Sequence, residues 1–258
     1  VRELSQTSIV TRSKEGRPGY SVRDIALYRA SGVGATQSFI GPTNTSTPDE
    51  LGIPRWEGTP EENSEMIRAA LRQFGAATVG FMVLDENTEK LIYSIDPDGK
   101  ELIISEEADV PEETETTRII PKKARSVIVW TVQMSQEGMR RSPTPVGAAT
   151  TAITYAENRA IQSRLQAFLR AIGYYGIGEA ETNALGISPA FGVLAGLGEL
   201  SRLNRIITPE YGPMVRVFKM LTDLPVAPTK PIDAGIMNFC KSCMSCATYC
   251  PSGSLSTS

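Results

Sequence analysis

The chain has 258 residues, 41% of them hydrophobic and 21% charged, with a formal net charge of −3. That length supports one large domain or two small ones with an apolar core, and so near-neutral a balance gives no electrostatic case for binding nucleic acid. It contains no histidine, which excludes His-based zinc sites, Ser-His-Asp triads and Cys-His dyads within these residues and leaves proton transfer to Tyr, Lys or a carboxyl group.

No run approaches the roughly 18–20 apolar residues that cross a bilayer. The opening Val1-Arg2-Glu3-Leu4-Ser5 is neither a Met start nor a signal peptide and reads as a processed or cut end. Residues 1–55 are rich in Gly, Ser, Thr and Pro without sustained periodicity, and an irregular extension packed on a core is expected. Gly32-Val33-Gly34 in this stretch does not complete a G-x-G-x-x-G fingerprint.

A helix start follows at Thr59-Pro60-Glu61-Glu62, with Thr as N-cap, Pro at the first helical position and Glu at the third. Met66, Ala69, Ala70 and Phe74 then fall at helical spacing and Gly75 supplies a stop. A buried strand is expected over Ala77–Leu84. Leu91–Ile95 and Glu101–Ile104 flank the turn residues Asp96-Pro97-Asp98-Gly99 and predict a hairpin. Residues 106–115, with six carboxylates, read as a solvated acidic loop.

Ser126–Met134 is β-branched and apolar, the best candidate for a central strand. Ala148–Ile172 predicts a long helix closed by Gly173. Beyond it come Tyr174–Ile177, a Gly-rich stretch through Gly192, Gly196 and Gly198, and an alternating strand over Met214–Lys219. Helices interleaved with sheet elements predict an α/β or α+β core. The expected organisation is an extension over 1–55, a core over 56–228 and a third segment over 229–258.

All four cysteines stand in that third segment, as Cys240-x2-Cys243-x2-Cys246-x3-Cys250 followed by Pro251. This is the bacterial ferredoxin run, in which three closely spaced thiolates hold three irons of one 4Fe–4S cluster and the fourth reaches a neighbouring cluster. Cysteines this close strain a disulfide, and zinc knuckles are usually separated by a dozen or more residues. Counting ligands, one iron of the first cluster and most of the second lack a protein thiolate here, so the remaining ligands are expected outside this chain.

Three further patterns precede the cysteines. Thr151-x3-Tyr155 puts two side chains on one face of the long helix. Gly196-Leu197-Gly198-Glu199-Leu200-Ser201-Arg202 continues through Thr208-Pro209-Glu210-Tyr211-Gly212-Pro213 to Met214-Val215-Arg216-Val217. Thr222-Asp223-Leu224-Pro225 closes the series. In this order, over residues 56–258, the chain resembles respiratory reductive dehalogenases.

The resemblance implies an α+β fold: a nitroreductase-like, cobalamin-binding core of α/β/α layers, followed by the start of a ferredoxin-like iron–sulfur module. It implies base-off cobalamin at the active site, two 4Fe–4S clusters feeding it electrons, and reductive removal of halide from an organohalide such as a chlorinated alkene. Tyr155 matches the family's proton-donor tyrosine, Arg216 the basic residue beside it, and Asn183 the polar residue completing the cluster. A phenol ordinarily keeps its proton at neutral pH, and a nearby guanidinium favours the phenolate left after donation. Thr151 is expected to line the same pocket. Trp56 is read either as pocket wall or as a packing anchor. Gly196 and Gly198 are read either as points of close approach to the corrin or as a tight connection.

The resemblance also implies an electron donor of the respiratory chain, a small membrane anchor protein, and export by the twin-arginine route to the outer face of the cytoplasmic membrane. It implies no nucleic-acid partner and leaves homodimerisation open. The competing readings are an epoxyqueuosine reductase-type cobalamin and iron–sulfur enzyme acting on tRNA, and a non-catalytic electron-transfer or corrinoid-carrier protein. An acidic chain with some 55 residues ahead of the core and the Tyr155/Arg216 pairing favour dehalogenation over the first of these.

Overall fold

The computed structural model of the protein describes residues 9, 11, 12, 14–20, 37–51 and 55–256. The Gly32-Val33-Gly34 segment lies outside the described residues. A short helix α1 (Pro48–Leu51) precedes the expected helix α2 (Pro60–Phe74). The Thr59 hydroxyl accepts from the Glu62 amide at 3.2 Å and the Glu62 carboxylate accepts from the Thr59 amide at 2.8 Å, a complete capping box. Gly75 closes the helix in the left-handed region at φ 114°.

The main sheet contains β1 (Thr78–Val83), β5 (Ser126–Gln133), β6 (Gly176–Ile177) and β9 (Val215–Thr222) in the order β1-β5-β9-β6, every pair antiparallel. Strand β5 is buried along all but Gln133 and alternates its side chains between two cores. Ile128, Trp130 and Val132 pack with Ile67 and Leu71 of α2 and with Ile161, Leu165 and Leu169 of the long helix α4 (Pro145–Ala171), which follows the one-turn helix α3 (Gln136–Met139). Val127 and Val129 face the other way, toward Phe191 and Ala195, Leu102 and Ile120, and Phe39. One layer of helices therefore covers one face. The other is covered by helix α5 (Ser188–Leu194) and a small sheet of β2 (Glu101–Ser105), β4 (Thr117–Pro121) and β3 (Glu112–Glu113) in the order β2-β4-β3.

Helix α4 begins three residues earlier than expected, because Pro145 stands in its first turn, where a missing N–H costs nothing. It ends at Gly173, φ 94°. Helix α5 was not apparent in the sequence, since Pro189 and Gly192 within it read as loop residues.

Two expectations are corrected. Asp96–Gly99 does turn, the Gly99 amide donating to the Asp96 carbonyl at 2.8 Å, but the expected hairpin shrinks to one antiparallel bridge, Ile95 to Glu101, with the Leu102 amide donating to the Ser94 carbonyl at 2.9 Å. Residues Thr88–Leu91 wind into a 3-10 helix, and Ile92 and Ile95 make isolated bridges to Gly186 and Glu101. Strand β2 instead runs parallel to β4. The acidic stretch is not wholly solvated, because β3 lies within it and Glu113 pairs with Lys100 at 2.8 Å and Arg118 at 2.9 Å.

Between α5 and β9, strands β7 (Glu199–Leu200) and β8 (Ile206–Ile207) form a two-stranded ladder. The segment that follows β9 is tied to this ladder: Glu199 Oε2 accepts from the amides of Ala234 and Ile236, and Arg202 donates to the carbonyls of Cys240 and Ser256. Helices α6 (Ile236–Cys243) and α7 (Ser245–Thr248) make up its regular structure among the described residues, and these alone do not show the ferredoxin-like module expected from 229 onward. No helix among the described residues is long and apolar enough to cross a membrane.

Candidate active site

Antiparallel pairing sets Arg216 on β9 opposite Val132, at the end of the sheet where α4 begins. Its neighbour Val215 is buried while the guanidinium emerges on the opposite side toward α4. There it sits 5.5 Å from the centroid of the Tyr155 ring, and its Nη2 donates to Thr151 Oγ1 at 3.2 Å. The one-turn spacing of Thr151 and Tyr155 thus brings both to the same guanidinium. The Tyr155 ring is held edge-on against Phe218 at 5.6 Å and 85°, and its hydroxyl donates to Asn183 Oδ1 at 3.1 Å.

These groups line one cleft of about 550 Å³ with Tyr93, Met134, Met139, Ile187, Ser188 and Arg205. Thr151 stands behind the lining, in contact with Arg216 and with Met139 Sδ at 3.9 Å. Among the described residues no carboxylate borders the cleft, whereas two guanidiniums do. The Arg216 Nε–H is buried without a hydrogen-bond partner among the described residues, which makes it a donor available to an incoming acceptor. A phenol, an amide and a guanidinium among apolar side chains can hold a small apolar molecule and compensate negative charge developing on it.

Asn183 reaches Tyr155 from a loop in which Asn183 and Leu185 both have φ 63°. Asn tolerates that region and leucine does not, so the loop is held by its surroundings. The Leu185 amide donates to Asp96 Oδ1 at 2.9 Å, its carbonyl accepts from the Tyr93 amide at 3.1 Å, and its side chain is 1% exposed.

Three expected residues stand elsewhere. Trp56 is not brought to the cleft: its indole N–H donates to Asn63 at 2.8 Å and its carbonyl accepts from Tyr174 at 2.9 Å, the behaviour of a packing anchor ahead of α2. At Gly196 an added Cβ would lie 2.3 Å from the Lys230 carbonyl oxygen, and at Gly198 2.3 Å from that of Ile207. Backbone therefore stands where a side chain would go at both positions, which fits their reading as a tight connection.

Residues that sequence reasoning missed include Tyr93, Ser188 and Arg205 in the cleft wall. Behind Ser188, Lys219 Nζ donates to the serine hydroxyl at 2.8 Å and to Glu179 at 2.5 Å, with Lys219 and Glu179 side chains 0% and 1% exposed. Burial pushes the Glu179 carboxyl up despite the ammonium beside it. A lysine in an apolar strand was the available signal for this pair.

The four cysteines are unbridged, and Cys243 is exposed. Among the described residues no three Cys, Asp or Glu side chains converge on a single-ion site. Hydroxyls of Ser252 and Ser254 lower Cys250 to about 6, and Ser245 lowers Cys243, which favours the thiolate form that ligates iron. Free, accessible thiols with that preference fit an iron–sulfur cluster. The orphaned Arg216 donor and the polar trio of Tyr155, Asn183 and Arg216 fit the substrate side of a corrinoid site.

A family model described as the reductive dehalogenase subunit matches residues 29–226. The chain belongs to the reductive dehalogenase family. It is 36% identical over 224 residues to the tetrachloroethene reductive dehalogenase of Sulfurospirillum multivorans, an alignment covering 81% of this chain and 44% of that one. It is 31% identical to the trichloroethene reductive dehalogenase of Dehalococcoides mccartyi, covering 95% of this chain and 48% of the relative. This reductive dehalogenase chain thus spans less than half the length of these two relatives. Its fold is similar to the solved catabolic reductive dehalogenase NpRdhA in complex with 3-bromo-4-hydroxybenzoic acid, at a TM-score of 0.65 and 23% identity over 91% of this chain and 30% of that one.

Proposed function

We propose that the protein to which this chain belongs reductively dehalogenates an organohalide, a chlorinated alkene fitting best, with Tyr155 as the proton donor. The carrying observation is the Tyr155 hydroxyl in the cleft, bonded to Asn183 and faced by the Arg216 guanidinium. Replacing halogen by hydrogen consumes two electrons and one proton and releases a halide ion. Base-off cobalamin, when bound, supplies electrons at the carbon–halogen bond, replenished through two 4Fe–4S clusters.

The chain's own residues do the rest. Tyr155 Oη holds the proton that the carbon receives, and Asn183 Oδ1 fixes the direction of that O–H. Arg216 compensates the charge left on the phenolate oxygen, while Thr151 holds one guanidinium nitrogen. Met134, Met139 and Ile187 offer apolar contact to a chlorinated hydrocarbon and exclude water. Cys240, Cys243, Cys246 and Cys250 would hold the iron, with further ligands from outside this chain. The tetrachloroethene and trichloroethene enzymes among the relatives support the alkene substrate class.

Family membership also supports an electron donor of the respiratory chain, a small membrane anchor protein and work at the outer face of the cytoplasmic membrane after twin-arginine export. The full-length protein, given reduced viologen and a chlorinated ethene, should release chloride. Tyr155→Phe keeps the ring against Phe218 and should lower turnover by about 100-fold or more with iron and corrinoid contents unchanged. Full activity in that variant would rule out the proton-donor role.

A further inference from the structure

Asn183 sits in a loop whose backbone is unfavourable for side-chain-bearing residues, and the contacts that hold it there lead to one buried group. Asp96 has a fully buried side chain. Its Oδ1 accepts from the Leu185 amide at 2.9 Å, two residues after Asn183, and its Oδ2 receives Arg118 Nη1 at 2.7 Å. Arg118, with a side chain 3% exposed, is itself fixed by Asp98, by Glu113 and by the face of Phe39 at 5.6 Å. The neighbouring Gly186 is pressed against the Leu91 carbonyl, where an added Cβ would lie 2.3 Å from its oxygen. The loop between Asn183 and Gly186 is therefore held by backbone bonds to Tyr93 and Leu91 and, at the Leu185 amide, by one side chain, the Asp96 carboxylate.

We infer that Asp96, braced by Arg118, is a positioning residue for the reaction: it fixes the left-handed turn at Leu185 that carries Asn183 to the Tyr155 hydroxyl. This rests on the reading that Asn183 orients the Tyr155 phenol during dehalogenation. A leucine at φ 63° persists only where its surroundings over-determine it. The over-determination here is an amide-to-carboxylate hydrogen bond in a buried setting, together with the buried leucine side chain. Without the carboxylate, Leu185 relaxes toward ordinary backbone angles. Asn183, exposed and anchored through that turn, then leaves the phenol.

Asp96→Asn keeps the shape but turns an amide N–H toward Arg118 or withdraws the acceptor from Leu185. Asp96→Glu keeps the charge and displaces the acceptor by one carbon, and serves where the first variant does not fold. Both are to be made in the full-length holoenzyme, alone and combined with Asn183→Ala. Crystal structures of the variants should show Asn183 Oδ1 beyond hydrogen-bond distance of Tyr155 Oη. Turnover should fall about 10-fold with KM little changed, and the same substitution in the Asn183→Ala background should cost less than about two-fold more. A merely structural Asp96 would multiply its effect with that of Asn183→Ala. Such multiplication, or an Asn183 still bonded to Tyr155 in the variants, overturns the inference. If the wild-type protein fails to release halide, the proposed function falls, while the position of Asn183 in the variant structures still decides the role of Asp96.

Discussion

Arg216 combines three contacts that a lysine does not reproduce. Its guanidinium carbon lies over the Tyr155 ring, one terminal nitrogen donates to Thr151, and the inner nitrogen is buried without a partner among the described residues. Arg216→Lys keeps the charge but loses the fixed fork, and turnover of the full-length enzyme should fall about 10-fold. Arg216→Met removes the charge that opposes a developing phenolate, and a fall of about 100-fold is expected, in line with the loss of one charge-stabilising donor. Equal rates in the lysine and methionine variants would mean that charge at this position is irrelevant. At this scale the sequence was informative where spacing carries geometry. Thr151 and Tyr155 follow from one helical turn, and Arg216 from strand alternation. The family resemblance supplied the roles of Tyr155, Arg216 and Asn183 alike, but the placing of Asn183 follows from neither spacing, because its direction is set by a left-handed loop. Arg205 and Tyr93 reach the cleft from irregular segments that periodicity does not describe.

At the scale of elements, the periodic segments were read within a few residues. The capping box of α2, the buried run of β5 and the length of α4 are each written in local residues. The expected hairpin, reduced to a single bridge, shows the opposite case. Its turn residues are real, but Asp96 and Asp98 serve a buried arginine 20 or more positions away, a long-range partner that local pattern cannot reveal. A second long-range contact joins β9 to the connection after β6. Glu179 and Lys219 are buried there, with Gln162 of α4 bonding both the Glu179 amide and its carbonyl. Two ions out of water gain little net stability together, but removing one leaves the other uncompensated. Glu179→Gln should therefore lower the unfolding free energy by about 3–5 kcal/mol, measured by urea denaturation of the purified protein. The paired replacement Glu179→Leu with Lys219→Met should recover most of that loss. A double variant as unstable as the sum of the singles would show that the two groups stabilise the sheet independently.

Across the whole molecule, a mixed α/β core followed from the alternation of helical and strand patterns and its layering only from the family resemblance, whereas the covering of the second face by α5 and the small sheet followed from neither. That face is held to the site through Arg118, which gathers Asp96, Asp98 and Glu113 beneath Phe39, and this cluster gives the protein a definite response to acid. Hydrogen bonds from Arg118 hold the Asp98 carboxyl below the usual aspartate range. The folded chain therefore binds that proton less readily than the unfolded chain does, and stability rises with pH across the interval between the two values. The contribution is present above the ordinary aspartate value of about 4 and is lost as pH falls through the lower folded value. Asp96 acts in the other sense, since burial pushes its carboxyl up against the pull of Arg118 and the Leu185 amide; its share is complete at low pH and diminishes as pH rises. Asp98→Asn separates the two. The variant should melt below the wild type at pH 7, the two melting temperatures should converge as pH is lowered from about 4 toward 3, and a constant offset across that range would mean that Asp98 contributes packing rather than charge.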